Sequence, residues 1–219
     1  MNELRILEQE IVACERCSRL RDHCREVAQM KRRAYRDHEY WGKPVPSFGD
    51  PKARVLILGL APGAHGANRT GRMFTGDKSG EFLFRALYET GFANQPNSTS
   101  REDGLILTGA YISASAHCAP PDNKPSREEL LNCRPYLERE LKLLKNLRVV
   151  VALGRIAFDT YLSLVNERRK FAHNLLHDLN PALISSYHPS QQNTSTGKLT
   201  AKMLREVFEQ ARELSSSQC

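Results

Sequence analysis

Four short strand-like runs divide this chain: residues 54–59 (RVLILG), 110–116 (AYISASA), 148–153 (RVVVAL) and 182–187 (ALISSY). The first is apolar on both parities of a strand, so both of its faces need cover, as in a parallel sheet buried between helices. Helical patterns alternate with the runs: near 79–91, from Ser126 to about 145, from about 155, and over 200–214. Ser126 and Glu129 form a capping box that opens the second of these helices. Strands alternating with helices predict right-handed βαβ units. The expected fold is α/β, with three layers, α/β/α, around a central four-stranded parallel sheet.

Ahead of the first strand the pattern is helical. Leu4, Leu7 and Ile11 recur at spacings of three and four, predicting a helix over 2–13. A second helix is expected over 18–37, carrying Arg19, Arg21, Arg25, Lys31, Arg32, Arg33 and Arg36 against Asp22, Glu26 and Asp37. Such a face is either solvated or made for phosphates. Residues 42–51 (GKPVPSFGDP) read as a connection, so 1–41 is expected to be a helical appendage to one domain spanning 1–219. With 40% apolar residues in 219 the chain can bury a sizeable core, which excludes wholesale disorder. No stretch of 18 apolar residues is present, so no membrane span is expected. The start, MNELRILEQE, has a helix pattern rather than that of a signal peptide, and a cytoplasmic protein is expected. A formal charge of +7 suits a polyanionic partner, although charge alone is a weak indicator.

The cysteines are more specific. Cys14 and Cys17 form C-x2-C, and Cys118 and Cys133 form a wider pair, while Cys24 and Cys219 stand outside that pattern. A reducing compartment disfavours structural disulfides. The choice lies between scattered buried thiols and a four-cysteine metal site, which suits either zinc or an iron–sulfur cluster. Cys118 opens a Pro-rich loop, where a core thiol is not expected.

Ligands of open parallel sheets bind beyond the carboxyl ends of the strands. Four loops follow the four runs: 59–80, 117–125, 154–155 and 188–193. The first contains glycines at 59, 63, 66, 71, 76 and 80 but neither a Walker loop nor a dinucleotide fingerprint. Within it, Phe74 is either core or a stacking platform for a base. Asp77 is either the N-cap of the next helix or a catalytic carboxylate. His188 follows an apolar strand directly, and Ser190, Gln191, Gln192 and Asn193 form a small polar loop able to enter a DNA groove.

These residues resemble the motifs of a known family. Gly59-Leu-Ala-Pro-Gly63, Phe74-Thr-Gly-Asp77, the loop from Cys118 through Asn123 to Pro125, and Ser186-Tyr-His188-Pro-Ser190 are similar to those of the iron–sulfur uracil-DNA glycosylases. Cys14, Cys17, Cys118 and Cys133 match that family's cluster ligands in order and spacing. Leu60 stands where the family 4 pattern has Glu, and Ala114 where it has the Asn that reads the uracil edge. The run from Ala61 to Asp77 looks like family 5. The resemblance implies a monofunctional glycosylase that excises uracil and other deaminated bases such as hypoxanthine from DNA. It implies one structural 4Fe–4S cluster, catalytic roles for Asp77, His188 and Asn123, and base contacts from Gly63, Ala64, Phe74 and Ala114. DNA contacts are expected from Ser190, Gln191, Gln192 and Asn193 and from Lys31, Arg32 and Arg33. The expected particle is a monomer in the cytoplasm, associated with the nucleoid through DNA. A uracil-selective family 4 enzyme, a non-catalytic metal-stabilised nucleic-acid binder and an electron-transfer iron–sulfur protein are the alternatives.

Overall fold

A computed structural model describes residues 3–216, so Cys219 lies outside the described residues. Six strands form one sheet: β1 (Phe48–Gly49), β2 (Val55–Gly59), β3 (Ala110–Ala114), β4 (Val149–Leu153), β5 (Leu175–His177) and β6 (Ala182–Ser186), in the order β1-β3-β2-β4-β6-β5. The four expected runs are its centre and pair in parallel. The expectation of a four-stranded parallel sheet needs correction, because β1 pairs antiparallel with β3, and β5 antiparallel with β6. Both added strands are edges of only two or three residues, too short to show any alternation.

Strand pleating sorts the core. Val55, Ile57, Ile112, Val149 and Val151 face one helical layer, and Leu56, Leu58, Tyr111, Val150 and Ala152 face the other. The first layer holds α4 (Lys78–Glu89) and α8 (Ala201–Ser216). The second holds α1 (Glu3–Val12), α5 (Arg127–Leu143) and α6 (Arg155–Leu164). Burying one such aliphatic side chain is worth roughly 1.5–3 kcal/mol, which explains why residues of both parities are apolar. The capping box of α5 is formed: Ser126 Oγ accepts from Glu129 N, and the Glu129 carboxylate accepts from Ser126 N.

The second predicted helix is shorter than expected. α2 runs only from Ser18 to Met30 and ends at Lys31, whose φ of 49° is left-handed. Lys31, Arg32 and Arg33 therefore sit in the turn that follows, with a 3₁₀ turn at Arg33–Tyr35, and not on a basic helical face. Two short helices lie inside segments expected as loops: α3 (Ala67–Thr70) and α7 (Gln191–Ser195). α1 packs Leu7 and Ile11 against Tyr136 of α5, and Arg19 of α2 pairs with Glu129 at 2.7 Å. Among the described residues no helix is long and apolar enough to cross a membrane.

Candidate active site

β2 precedes β3 on one side of the sheet and β4 on the other, so a crevice opens where the strand order reverses. The carboxyl ends of β2, β3 and β6 deliver Gly59, Ala114 and the His188 loop to a cleft of about 540 Å³ there. Phe74, Asp77, Asn123 and His188 all line it.

The glycine loop is shaped around Asp77. A Cβ on Gly66 would lie 2.0 Å from Asp77 Oδ2, and one on Gly63 would lie 2.9 Å from it, so the carboxylate occupies space that only glycines leave. Asp77 is also the N-cap of α4, its Oδ1 accepting from Gly80 N at 2.9 Å. One oxygen thus caps the helix, while the residue also borders the cleft. Burial raises its pKa, while the N–H groups of Gly80 and Ser79 and the charge of Arg69 oppose the rise. The loop is braced from behind by Arg72, which donates to Asp103 at 2.7 Å and to Ser98 at 2.9 Å.

Phe74 has φ 52°, unusual for a bulky residue. Its ring lies so close to Gly59 that a Cβ there would meet it at 2.9 Å. The ring is half-buried and borders both the core and the cleft. His188 sits beside it, backed by Gly154, whose φ of 94° and missing Cβ leave room for the imidazole. Burial pushes the His188 pKa down to about 4, so the ring is neutral near pH 7. Its backbone carbonyl accepts from Asn193 Nδ2 at 2.9 Å, and Ser190 caps α7. Asn193 and Ser190 therefore hold the histidine loop, while Gln191 and Gln192 are exposed at the rim.

Asn123 ends a 3₁₀ turn at φ 56°, is exposed, and its side chain makes no hydrogen bond with the described residues. Ala114, at 2% exposure, gives the cleft wall a methyl group and no hydrogen-bonding side chain. Gly63 borders the cleft, whereas the Ala64 carbonyl accepts from Asn68. Sequence reasoning overlooked Met73, Ser79 and Asp122, which also line the cleft. Asp122, left-handed at φ 54° beside Asn123, was discernible only as an Asp in a Pro-rich turn.

Arg32, in the turn after α2, is linked through Tyr40 to the glycine loop. Arg32 N donates to Tyr40 Oη at 3.4 Å, and Tyr40 Oη meets His65 Nδ1 at 3.1 Å.

The four patterned cysteines are free thiols, with Cys118 and Cys133 buried and Cys14 and Cys17 half-buried. Cys133 lies within electrostatic reach of Cys14 and Cys17, and Cys118, whose thiol is hydrogen-bonded to Cys24, within reach of Cys133. Burial pushes the Cys133 thiol up to about 12, a cost that a bound cationic centre would remove. Asn132 Nδ2 donates to Cys17 Sγ at 3.5 Å, and a backbone N–H of His117 points to Cys133, donors of the kind that surround cluster thiolates. This donor set fits a thiolate-held iron–sulfur cluster. Among the described residues no three His, Cys, Asp or Glu side chains converge on a single-ion site. Cys24, outside the spacing pattern, packs against Cys118 and Ala119.

The family model described as the uracil DNA glycosylase superfamily matches residues 46–212. The chain belongs to that superfamily. It is 49% identical over 212 residues to the type-5 uracil-DNA glycosylase of Thermus thermophilus, covering 94% of this chain and 95% of that protein. The type-5 enzyme of Mycobacterium leprae is 47% identical, over 95% and 94% of the two chains. A type-4 relative from Pyrobaculum aerophilum is more distant, 34% identical over 60% of this chain. Within the superfamily the chain therefore lies on the type-5 side, as Leu60 and Ala114 imply.

Proposed function

We propose that this uracil-DNA glycosylase superfamily member works as a type-5 DNA repair glycosylase, removing uracil, with Asp77, His188 and Asn123 as its catalytic groups. The observation that carries the assignment of roles is the convergence of a neutral imidazole, a buried carboxylate and an aromatic ring on one cleft at the sheet's switch point. The target nucleotide leaves the stack to reach such a cleft, at a cost of a few kcal/mol that is least for damaged or mispaired bases. Phe74 offsets part of that cost by stacking on the base. The C1′–N bond breaks with its electron pair on the base, water adds its oxygen to C1′, and the water's proton leaves for the base or solvent. His188 donates N–H to the base oxygen where negative charge grows, and being neutral it needs no protonation to do so. Asp77 holds the water or faces the developing sugar cation, and Asn123 helps place water or base.

Cys14, Cys17, Cys118 and Cys133 would hold one 4Fe–4S cluster in this reading, tying the turn after α1 to the 118 loop and α5. The cluster's contribution is structural. Lys31, Arg32 and Arg33 contact phosphates, with Gln191 and Gln192 at the groove. Ala114 leaves the base edge unread by a side chain, so hypoxanthine and other deaminated bases are accepted along with uracil. The protein acts as a monomer on cytoplasmic, nucleoid DNA.

The test is single-turnover excision from a duplex with one uracil, read by alkaline cleavage of the abasic site. Asp77→Asn preserves a cap-competent side chain, so its rate should collapse while its melting temperature stays near wild type. A melting temperature that falls with activity retained would make Asp77 a cap alone.

A further inference from the structure

Arg69 lies on α3 inside the glycine loop and is only 8% exposed. Its Nε donates to the His65 carbonyl at 2.8 Å and its Nη2 to the Gly76 carbonyl at 2.8 Å, so one guanidinium closes the loop across eleven residues. Its Nη1 meets His38 Nδ1 at 3.1 Å, and the Tyr35 ring lies under it, 4.0 Å from centroid to Cζ. A Cβ on Gly76 would come within 2.4 Å of Arg69 Nη2, so the guanidinium fills the place of a side chain one residue before Asp77.

None of the described residues forms an ion pair with Arg69; its bonds go to carbonyls and a ring nitrogen. A buried cation so placed costs desolvation energy without an anionic partner to offset it. The nearby carboxylate that gains from its field is Asp77, which burial disfavours as an anion. The groups facing Asp77 are few. Arg69 stands on the loop side; the N–H groups of Ser79 and Gly80 stand at the start of α4, with Glu81 there as an opposing charge. Glu81 is itself paired with Lys78 at 2.9 Å. Asp122 and His188 line the same cleft.

We propose that Arg69 is a positioning residue: it fixes the Gly76–Asp77 turn and supplies the positive field at the Asp77 carboxylate, and Tyr35 and His38 hold it in place. The proposal rests on the reading of Asp77 as a catalytic anion. It also joins the turn after α2, which carries Lys31, Arg32 and Arg33, to the catalytic loop through a cation–π contact.

Single-turnover uracil excision between pH 5 and 9 tests it, with melting temperature and abasic-duplex affinity measured alongside. Arg69→Met should lose about 10–100-fold at pH 7, the scale of a misplaced catalytic group. Without the cation Asp77 protonates at higher pH, so the acidic limb should move up and part of the loss should be recovered towards pH 9. Arg69→Lys keeps charge but loses the fork; it should be slower with the limb near its wild-type position. Tyr35→Ala should shift the limb in the same direction as Arg69→Met, by less. A uniform loss at every pH in Arg69→Met, or wild-type rates in it, would overturn the proposal. If Arg69→Met does not fold, an unmoved limb in Tyr35→Ala overturns it. Asp77→Asn separates the two ideas: wild-type activity there sinks the Asp77 reading, whereas an inactive Asp77→Asn beside an unmoved limb in Arg69→Met sinks only the role of Arg69.

Discussion

The Phe74 and His188 rings lie side by side at the cleft, with centroids 5.9 Å apart and planes tilted by 30°. Phe74 reaches that position from a left-handed backbone, a conformation costing of order 1–3 kcal/mol that persists only where the surroundings impose it. Replacing Phe74 with Ala should slow single-turnover uracil excision by about tenfold or more, since base–aromatic stacking is worth ~1–3 kcal/mol. His188→Ala should lose at least about 10²-fold, as for a lost transition-state donor. Because burial holds His188 neutral, with a pKa of about 4, the wild-type rate should not fall through a pKa near 6.5 as pH rises. A descending limb there that vanishes in His188→Ala would mean that the imidazolium is the working form.

Base selection turns on Ala114. A site that hydrogen-bonds its substrate rejects analogues lacking the matching group far more strongly than an apolar wall does. Excision of both uracil and hypoxanthine is expected, and Ala114→Asn should narrow the range towards uracil. Uracil release with no detectable hypoxanthine release at equal enzyme excess would contradict this.

The four cysteines predict colour and iron. Anaerobically purified protein should be brown with about four iron per chain. Cys14→Ala, Cys17→Ala, Cys118→Ala or Cys133→Ala should lose the iron and lower the melting temperature. Cys24→Ala should retain iron despite its contact with Cys118. Stoichiometric zinc without iron in such material would overturn the assignment.

Salt should weaken DNA binding steeply, because each neutralised phosphate releases counterions. Neutralising Lys31, Arg32 and Arg33 together should flatten the slope of log affinity against log salt. An unchanged slope would leave the turn a merely solvated feature.

Glu140 gives stability a pH signature. It is fully buried on α5, accepts from Ser113 Oγ at 2.5 Å, and burial raises its pKa from 4.5 to about 7. The folded protein thus holds this proton more tightly than the unfolded chain. Its contribution to stability is full below about pH 4.5 and is lost as pH rises through about 7. Glu140→Gln does not titrate, so the melting temperature of wild type minus that of the variant should fall between pH 5 and 8. A difference independent of pH would show that Glu140 stays ionised or gains water.

The four central strands, their helices and the loops at the rim were legible in the sequence, because burial on two faces and the capping of α5 are local rules written at a period of two or four residues. The edge strands β1 and β5 were not, since two or three residues carry no periodicity and acquire their conformation only from the neighbour they pair with. Lys31 ends α2 early for a reason absent from its composition, a left-handed backbone at the helix end. The sequence alone named Phe74, Asp77, Asn123 and His188 by motif, yet it left Phe74 and Asp77 with two roles each. Tertiary structure decided that Asp77 caps α4 and borders the cleft at once, that Ser190 and Asn193 turn inward to support His188, and that Arg69 reaches back to Gly76. Those outcomes depend on which atoms share a small volume. Distance between residues far apart along the chain is set by the packed sheet and helices, and no local pattern encodes it.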